Sequence, residues 1–405
     1  MVVDREDAQW PAERQRPPGR APAGLTGRRA RRPDRVGKAW TGRRPAIAHR
    51  AVGRHHARVM RARPSAREIG LAFGDLPPGP HNAITDVPGV RVGHTTVRRA
   101  PEVNTGVTAI VPAPAASGAG AAVTPRTPLP AGVFCGNGYG KLVETTQIAE
   151  LGTIETPVLL TSTLSTFRVA DALIGWMLDR PECADVRSLN PVVGECNDGY
   201  LSDIRARPIT RTHVRAALDG ARSGPVAQGC VGAGTGTGAL GFKAGIGTAS
   251  RVLDLAGERA TIGVLVQANF PGTLRVLGTP LTPASVGVPP PPALDIAAPG
   301  SCMIVAATDA PLDARHLTRL ARRAVFALAR VGAAYTHSSG DYALALSVHP
   351  GPPRLRDQEL DPLFEAIMDV VEESVLNSLL TATTTNGPHG RTLHALPTLR
   401  LTPPP

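Results

Sequence analysis

The chain has few aromatic residues, no long apolar run and no ordered set of cysteines. Phe, Trp and Tyr make up 3% of its 405 residues, so the core must be built from Ala, Val, Leu and Ile. No run of 18 or more apolar residues occurs, which argues against a membrane-spanning helix. The five cysteines are scattered, without a C-x-x-C motif or a His pair at metal spacing. We expect no metal site, reduced thiols and a cytoplasmic location.

Glycine and proline, by contrast, are abundant. The chain contains 43 Gly and 40 Pro, and 42% of its residues are hydrophobic. Its length is enough for a large core, while Gly and Pro divide the apolar runs into short segments joined by turns. This composition is typical of α/β layers.

Positive charge is concentrated at the N-terminus. Residues 1–67 hold 18 of the 44 Lys and Arg but only 5 of the 33 Asp and Glu, so this segment carries +13 and residues 68–405 carry −2. The segment lacks apolar periodicity, which predicts a disordered tail, and Met60 is a second candidate start. We expect one folded domain over 68–405 with no nucleic-acid partner, although an Arg-rich arm that binds RNA phosphates is an alternative for the tail.

Strand and helix patterns alternate along the second half of the chain. Residues 312–331 and 358–380 place apolar side chains at intervals of three and four, and short apolar runs stand at 302–308 and 342–348. Amphipathic helices of this kind pack on a sheet, so the pattern predicts stacked sheets with helices outside. Upstream, the sequence predicts a β meander over 81–114, a strand, helix and strand over 131–166, helices over 167–178 and 210–219, a buried strand at 191–196 and two strands over 242–270.

A glycine-rich segment, residues 229–241, contains six glycines in thirteen residues. Such a segment either binds an anion through its backbone N–H groups or lets two parts of the chain approach closely. No G-K-[ST] follows it, and it leads into a strand instead of a helix. A nucleotide phosphate loop is therefore disfavoured.

The junction between Gly300 and Ser301 is the most informative position. A Pro-rich loop ends at Gly300, and a strand begins at Ser301. If this bond is cut, Ser301 gains an α-amino group with an unperturbed pKa of about 7.7–8.0, which can take the proton of its own hydroxyl. The same hydroxyl would make the cut by attacking the Gly300 carbonyl, to give an ester that water hydrolyses. Taken alone, the pair also fits an ordinary loop-to-strand junction.

The motifs around this junction resemble the DmpA-like aminopeptidases, the L-aminopeptidase/D-esterase family of self-cleaving serine peptidases. The resemblance covers about residues 68–400. It implies an α/β fold, an αββα four-layer sandwich similar to N-terminal-nucleophile hydrolases of the ornithine acetyltransferase type. It also implies a homo-oligomer of cleaved α chains (to 300) and β chains (301–405), with no cofactor. The matching motifs are NAITDVPGVRVGHTTV, GNGYGK, PVVGECNDGYLSD, GAGTGTGALGFKAGIGTASR, VLVQANF, SCMIVAATDAPL and HSSGDYALALS.

The resemblance assigns the catalytic residues to positions of this chain. Ser301 corresponds to the nucleophile released by cleavage after Gly300, and Asn269 to the oxyanion-hole donor. Ser339 and Asp341 would lie beside the new amino terminus and relay its proton. Relatives can carry Glu at the position of Asp341, which would change its reach but keep its charge.

Two further residues in ECNDGYL are candidates for substrate contacts. Tyr200 is a candidate for a second oxyanion or substrate contact, and Glu195 for receiving the free amine of the substrate. Packing or turn formation is the alternative role for Tyr200, and likewise for Asn269, Ser339 and Asp341.

The sequence therefore predicts a serine aminopeptidase, amidase or esterase that releases N-terminal residues from short peptides, amides or esters through an acyl-enzyme on Ser301. An acyltransferase of the ornithine acetyltransferase type is one alternative, but such relatives usually present Thr as the nucleophile. A non-enzymatic binding protein is another, and it would stay uncleaved. The choice between L-, D- and β-amino acids is open.

Overall fold

Two β-sheets lie face to face, and helices cover the outer face of each. The structure is a computed structural model, and it describes residues 63–118, 120–291 and 300–398. The first sheet has the strand order β1-β2-β6-β7-β4 and the second β10-β11-β14-β15-β3-β5. The strands are β1 Arg91–Arg99, β2 Val103–Val111, β3 Leu129–Gly138, β4 Leu142–Val143, β5 Thr153–Ile154, β6 Val158–Ser162, β7 Val192–Cys196, β8 Gly238–Ala239, β9 Phe242–Lys243, β10 Ile246–Leu255, β11 Glu258–Asn269, β12 Leu274–Val276, β13 Thr279–Leu281, β14 Ser301–Thr308, β15 Gly340–Ser347, β16 Thr385–Asn386 and β17 Thr392–Leu393.

Each sheet has its own pair of covering helices. Helices α2 and α3 pack on the first sheet, and α4 and α5 pack on the second. Every residue of β2, β14 and β15 is buried, as expected of strands covered on both faces. The layers follow the order α, β, β, α, which confirms the expected sandwich. The helices are α1 Thr145–Leu151, α2 Thr166–Leu178, α3 Arg211–Asp219, α4 Ala314–Ala327 and α5 Asp361–Leu380.

Strand β14 lies in the interior of the second sheet, between β11 and β15. It is antiparallel to β11 and parallel to β15. Met303 and Val305 belong to the core between the two sheets, whereas Cys302 and Ile304 belong to the core under α4 and α5. Because side chains alternate along a strand, Ser301 shares the inter-sheet face with Met303.

The helices predicted at 312–331 and 358–380 are confirmed as α4 and α5, with slightly shorter bounds. Within 81–114, β1 and β2 pair as an antiparallel hairpin. The two longer strands of the predicted strand, helix and strand over 131–166 do not enter one sheet, because β3 joins the second sheet and β6 lies beside β2 in the first. Apolar alternation shows that a segment is a strand but not which sheet it enters.

The boundary of the basic tail also needs correction. The backbone N–H of Ala66 donates to Asn377 Oδ1 (2.8 Å), and Arg67 Nε lies 3.1 Å from a Glu373 carboxylate oxygen. Residues 63–67, which were grouped with the tail, therefore pack on α5 as part of the folded domain. The rest of the predicted tail lies outside the described residues.

Neither a disulfide nor a membrane-spanning helix is found in the described ranges. All five cysteines lie within these ranges and carry free thiols. None of the helices described has the length and apolar content needed to cross a bilayer.

A buried ion pair fastens α5 to the second sheet. Arg251 on β10 and Glu373 on α5 are both fully buried, with Arg251 Nη2 2.7 Å from Glu373 Oε2. Arg251 also donates to the carbonyl of Phe73, and Asn82 Nδ2 donates to Glu373 Oε1. The pair thus joins the N-terminal segment, α5 and the sheet that carries Ser301.

Removing one member of this pair should destabilise the protein strongly. Glu373→Ala leaves the Arg251 guanidinium buried without its carboxylate, so we expect the free energy of unfolding to fall by about 3–5 kcal/mol. Urea unfolding followed by circular dichroism measures the change. Glu365→Ala, on the exposed face of the same helix, is the control and should cost less than about 0.5 kcal/mol. Equal losses in both variants would contradict the role of the pair.

Candidate active site

A cavity of about 350 Å³ opens beside the first residue of β14. Its volume falls near the lower end of the range typical of ligand pockets, about 300–1,000 Å³. Among the described residues, no three His, Cys, Asp or Glu side chains cluster closely enough to hold a metal ion. The lining residues are Gly138, Tyr139, Gly140, Lys141, Thr163, Glu195, Asn197, Gly300 and Ser301.

Two N–H donors lie within 3.5 Å of the Ser301 hydroxyl oxygen. Asn269, the last residue of β11, is the register partner of Ser301, and its Nδ2 lies 3.5 Å from Ser301 Oγ. The backbone N–H of Asn197 donates to the same oxygen (3.3 Å). In a tetrahedral intermediate the oxyanion would be bonded to the carbon that Oγ has attacked, so these two N–H groups are candidate donors to it. The structure thus brings together Ser301 and Asn269, as predicted, and adds Asn197.

The glycine-rich segment orients the Asn269 amide. The backbone N–H of Gly238 donates to Asn269 Oδ1 (3.2 Å), which turns the Nδ2 group toward Ser301. A Cβ atom on Gly236 would lie 2.1 Å from the carbonyl oxygen of Asn104, so the chain approaches too closely there for any other residue. Close approach of two parts of the chain therefore accounts for the glycine at 236.

The buried side chain of Lys243 is hydrogen-bonded to this segment. Lys243 Nζ donates to three backbone carbonyls, including those of Gly234 (3.2 Å) and Thr237 (2.8 Å), and burial lowers the pKa of Lys243. Burial by itself would raise the pKa of the nearby Cys230 thiol, but the Lys243 ammonium and hydrogen bonds from Thr383 lower it to about 7. Lys243 therefore links the fold of the segment to the orientation of Asn269.

Ser339 and Asp341 lie on the other side of the Gly300–Ser301 bond. Ser339 Oγ donates to Asp341 Oδ1 (2.8 Å), and a Cβ on Gly300 would lie 3.1 Å from Ser339 Oγ. Burial raises the pKa of Asp341 to about 6, although hydrogen bonds from Ser339 and the Cys302 N–H oppose the shift. The pair is thus beside the atoms that would become the new amino terminus, and its carboxyl group titrates near neutral pH.

The carbonyl group of Gly300 has a donor of its own. The backbone N–H of Gly340 donates to Gly300 O (3.1 Å). A Cβ on Gly340 would lie 2.7 Å from the Cα of Gly140, so only glycine fits at this position. This donor polarises the carbonyl that Ser301 Oγ would attack.

Glu195, the predicted partner of the substrate amine, lines the cavity and accepts hydrogen bonds from three donors. Its Oε1 accepts hydrogen bonds from the backbone N–H (3.0 Å) and the ammonium (3.3 Å) of Lys141. Its Oε2 accepts one from the Thr163 hydroxyl. The carboxylate is 3% exposed and faces the same cavity as Ser301, where it is suited to bind an ammonium group.

Tyr200 is not among the residues that line the cavity. The Arg391 guanidinium lies 5.4 Å from the centre of its ring, and its buried hydroxyl has no hydrogen-bond partner among the described residues. Its predicted role in catalysis stays a prediction.

The sequence analysis missed three residues of the site. It missed Asn197 and Gly340, because a backbone N–H donor carries no side-chain signal. It also missed Lys141, although the motif GNGYGK contains it.

Comparison with known proteins identifies similar chains over most of the length. The model of peptidase family S58 matches residues 82–393. The chain is 36% identical over 367 residues to a β-peptidyl aminopeptidase BapA of Sphingosinicella microcystinivorans, covering 82% of this chain and 90% of that protein.

Solved structures show the same likeness. A β-aminopeptidase of Burkholderia sp. is 38% identical, with a TM-score of 0.73 over 83% of this chain and 96% of that chain. The L-aminopeptidase D-Ala-esterase/amidase of Ochrobactrum anthropi, described as a variant of the Ntn hydrolase fold, is 36% identical, with a TM-score of 0.72 over 82% of this chain and 95% of that chain.

The raised pKa of Asp341 predicts an effect on stability. The pKa is about 6 in the folded protein and 3.8 ordinarily, so the folded state binds this proton more tightly. The carboxyl group therefore lowers the free energy of unfolding as pH rises from about 4 through about 6, and the loss persists at neutral pH. Asp341→Asn should be more stable than its parent at pH 7.5, by on the order of 1 kcal/mol, and not at pH 4.

Urea unfolding at the two pH values tests this, with both chains carrying Ser301→Ala so that neither is cut. Asp75→Asn, at an exposed position, is the control and should show no such pH dependence. An Asp341→Asn chain less stable than its parent at pH 7.5 would show that the carboxylate is favoured in the fold.

The link from Lys243 through Gly238 to Asn269 predicts a catalytic effect at a distance. Lys243→Met should lower kcat toward an aminoacyl p-nitroanilide by about 10- to 100-fold with little change in KM, because Asn269 loses its orientation. Asn269→Ala should cost about 100- to 1,000-fold. The kcat of the double variant should be no lower than that of Asn269→Ala alone, since both changes remove the same hydrogen bond from Asn269 to the oxyanion. Multiplicative losses would rule out this link.

Proposed function

The chain belongs to peptidase family S58 and is a hydrolase of the aminopeptidase type, and on this basis we propose that it first cuts its own Gly300–Ser301 bond. We further propose that Ser301 then removes the N-terminal residue from short peptides, amides or esters. The observation that carries the proposal is the position of Ser301 Oγ, which has N–H donors from Asn269 and Asn197 beside it, while the Gly340 N–H donates to the adjacent carbonyl of Gly300.

Self-cleavage begins with the attack of Ser301 Oγ on the carbonyl carbon of Gly300. The Gly340 N–H stabilises the negative charge that develops on Gly300 O. The carbon–nitrogen bond breaks, the Ser301 nitrogen takes up the proton that Oγ gave up, and the acyl group is now an ester on Oγ. Water hydrolyses the ester, which leaves a carboxylate on Gly300 and both a free hydroxyl and a free amine on Ser301. The hydrogen bond from Gly340 supports this path.

Substrate turnover repeats the chemistry on a second carbonyl. Ser301 Oγ attacks the substrate and gives its proton to its own α-amine or to the Ser339–Asp341 pair. The oxyanion receives hydrogen bonds from Asn269 Nδ2 and the Asn197 N–H, and one such donor is commonly worth about 10²–10³ in kcat. The leaving amine takes the proton, and water then releases the acyl group. The pKa of about 6 for Asp341 supports its ionisation, and hence this proton transfer, at neutral pH.

The cavity supports a preference for short substrates with a free amine. Glu195 would bind the ammonium group of the N-terminal residue, and a volume of about 350 Å³ suits a small residue. Two similar proteins are named β-peptidyl aminopeptidase and β-aminopeptidase, and we propose that β-amino acids are among the residues removed. The predicted homo-oligomer and cytoplasmic location stay predictions.

Self-cleavage can be tested by intact mass under denaturing conditions. The wild type should give two fragments, one starting at Ser301 and one ending at Gly300. Ser301→Ala should give a single chain of 42.2 kDa, because the attacking hydroxyl is gone. Ser285→Ala, which removes an exposed hydroxyl upstream, is the control and should be cut like the wild type. Finding the wild type uncut and inactive on aminoacyl p-nitroanilides would refute the proposed function.

A further inference from the structure

Lys141 and Glu195 are the two charged side chains among the residues that line the cavity. Their charges lie close together, with Lys141 Nζ 3.3 Å from Glu195 Oε1, but their surroundings differ. The Glu195 side chain is 3% exposed, whereas that of Lys141 is 39% exposed. The Lys141 side chain is therefore the more accessible of the two to a ligand in the cavity, while the Glu195 carboxylate forms part of the wall.

Glu195 does not depend on the Lys141 ammonium for its position. The backbone N–H of Lys141 donates to Oε1 (3.0 Å), and the Thr163 hydroxyl donates to Oε2. These two donors hold both carboxylate oxygens whatever the side chain at 141 does. The ammonium is thus available to a ligand in the cavity.

Binding of a substrate amine changes the charge balance of the cavity. The empty cavity has one cation and one anion at this end. A substrate ammonium placed against Glu195 would add a second cation beside Lys141, and like charges at close range in a partly buried site repel each other. A carboxylate on the same substrate restores neutrality and gives Lys141 a charge-assisted hydrogen bond.

We propose that Lys141 binds a carboxylate of the substrate, so that the enzyme favours zwitterionic substrates whose ammonium group meets Glu195 and whose carboxylate meets Lys141. The inference rests on the proposed aminopeptidase function and adds a substrate class to it. The carboxylate has two possible sources: the free C-terminus of a dipeptide, or the α-carboxylate of a residue linked through its side chain, as in β-aspartyl peptides.

The test compares peptides that differ only in this carboxylate. If the C-terminus supplies the carboxylate, the wild type should hydrolyse β-alanyl-alanine with a kcat/KM about tenfold or more above that of β-alanyl-alanine amide, mainly through a lower KM. If the acyl residue supplies it, the kcat/KM of β-aspartyl-alanine amide should exceed that of β-alanyl-alanine amide by a similar factor. In Lys141→Met the ratio of kcat/KM between the two peptides of that pair should fall close to one, whereas Lys141→Arg, which keeps the cation, should preserve it.

Each outcome is decisive. A purely structural role for Lys141 would lower kcat/KM equally for the charged and the amidated peptide, and the ratio in Lys141→Met would equal that of the wild type. Such a result, or a wild type that does not distinguish any of the pairs, overturns the inference while the aminopeptidase function stands. If the cleaved wild type hydrolyses none of these peptides and no aminoacyl p-nitroanilide, the proposed function fails and the inference fails with it.

Discussion

The site depends on the pairing of Ser301 with Asn269 on one side and Gly340 on the other. Three adjacent strands, β11, β14 and β15, meet at this row of the second sheet. A shift of register by one residue would turn the Ser301 hydroxyl to the opposite face and remove Asn269 from its reach. The apolar residues that follow on β14 resist such a shift, because they alternate between two different cores.

Buried charged side chains are the second feature on which the structure around this site depends. Lys243, Arg251, Glu373 and Asp341 are all buried in the described part of the chain, and a buried charge is costly unless it is paired or hydrogen-bonded. Arg251 and Glu373 form an ion pair, and Lys243 donates to backbone carbonyls. Asp341 differs, since burial raises its pKa to about 6. A carboxyl group that titrates near neutral pH is suited to proton transfer and unfavourable for stability.

Glycine allows the backbone contacts on which the chemistry would rely. Gly340 lies against Gly140, and Gly236 lies against the backbone of Asn104. These contacts bring N–H groups to the Gly300 carbonyl and, through Gly238, to the Asn269 amide. The abundance of glycine in this chain thus has a local use at the site as well as in turns.

Apolar spacing in the sequence determined the class of fold and the main helices and strands, because such spacing belongs to consecutive residues. The resemblance of short motifs to the DmpA-like family marked Ser301, Asn269, Ser339, Asp341 and Glu195 as candidates. Only the tertiary structure decided which sheet β3 enters, that Tyr200 stays outside the cavity lining, and that the N–H groups of Asn197 and Gly340 flank the Gly300–Ser301 bond. These relations join parts of the chain that are far apart in sequence, and the donors are backbone groups that every residue except proline carries, so no residue type marks them.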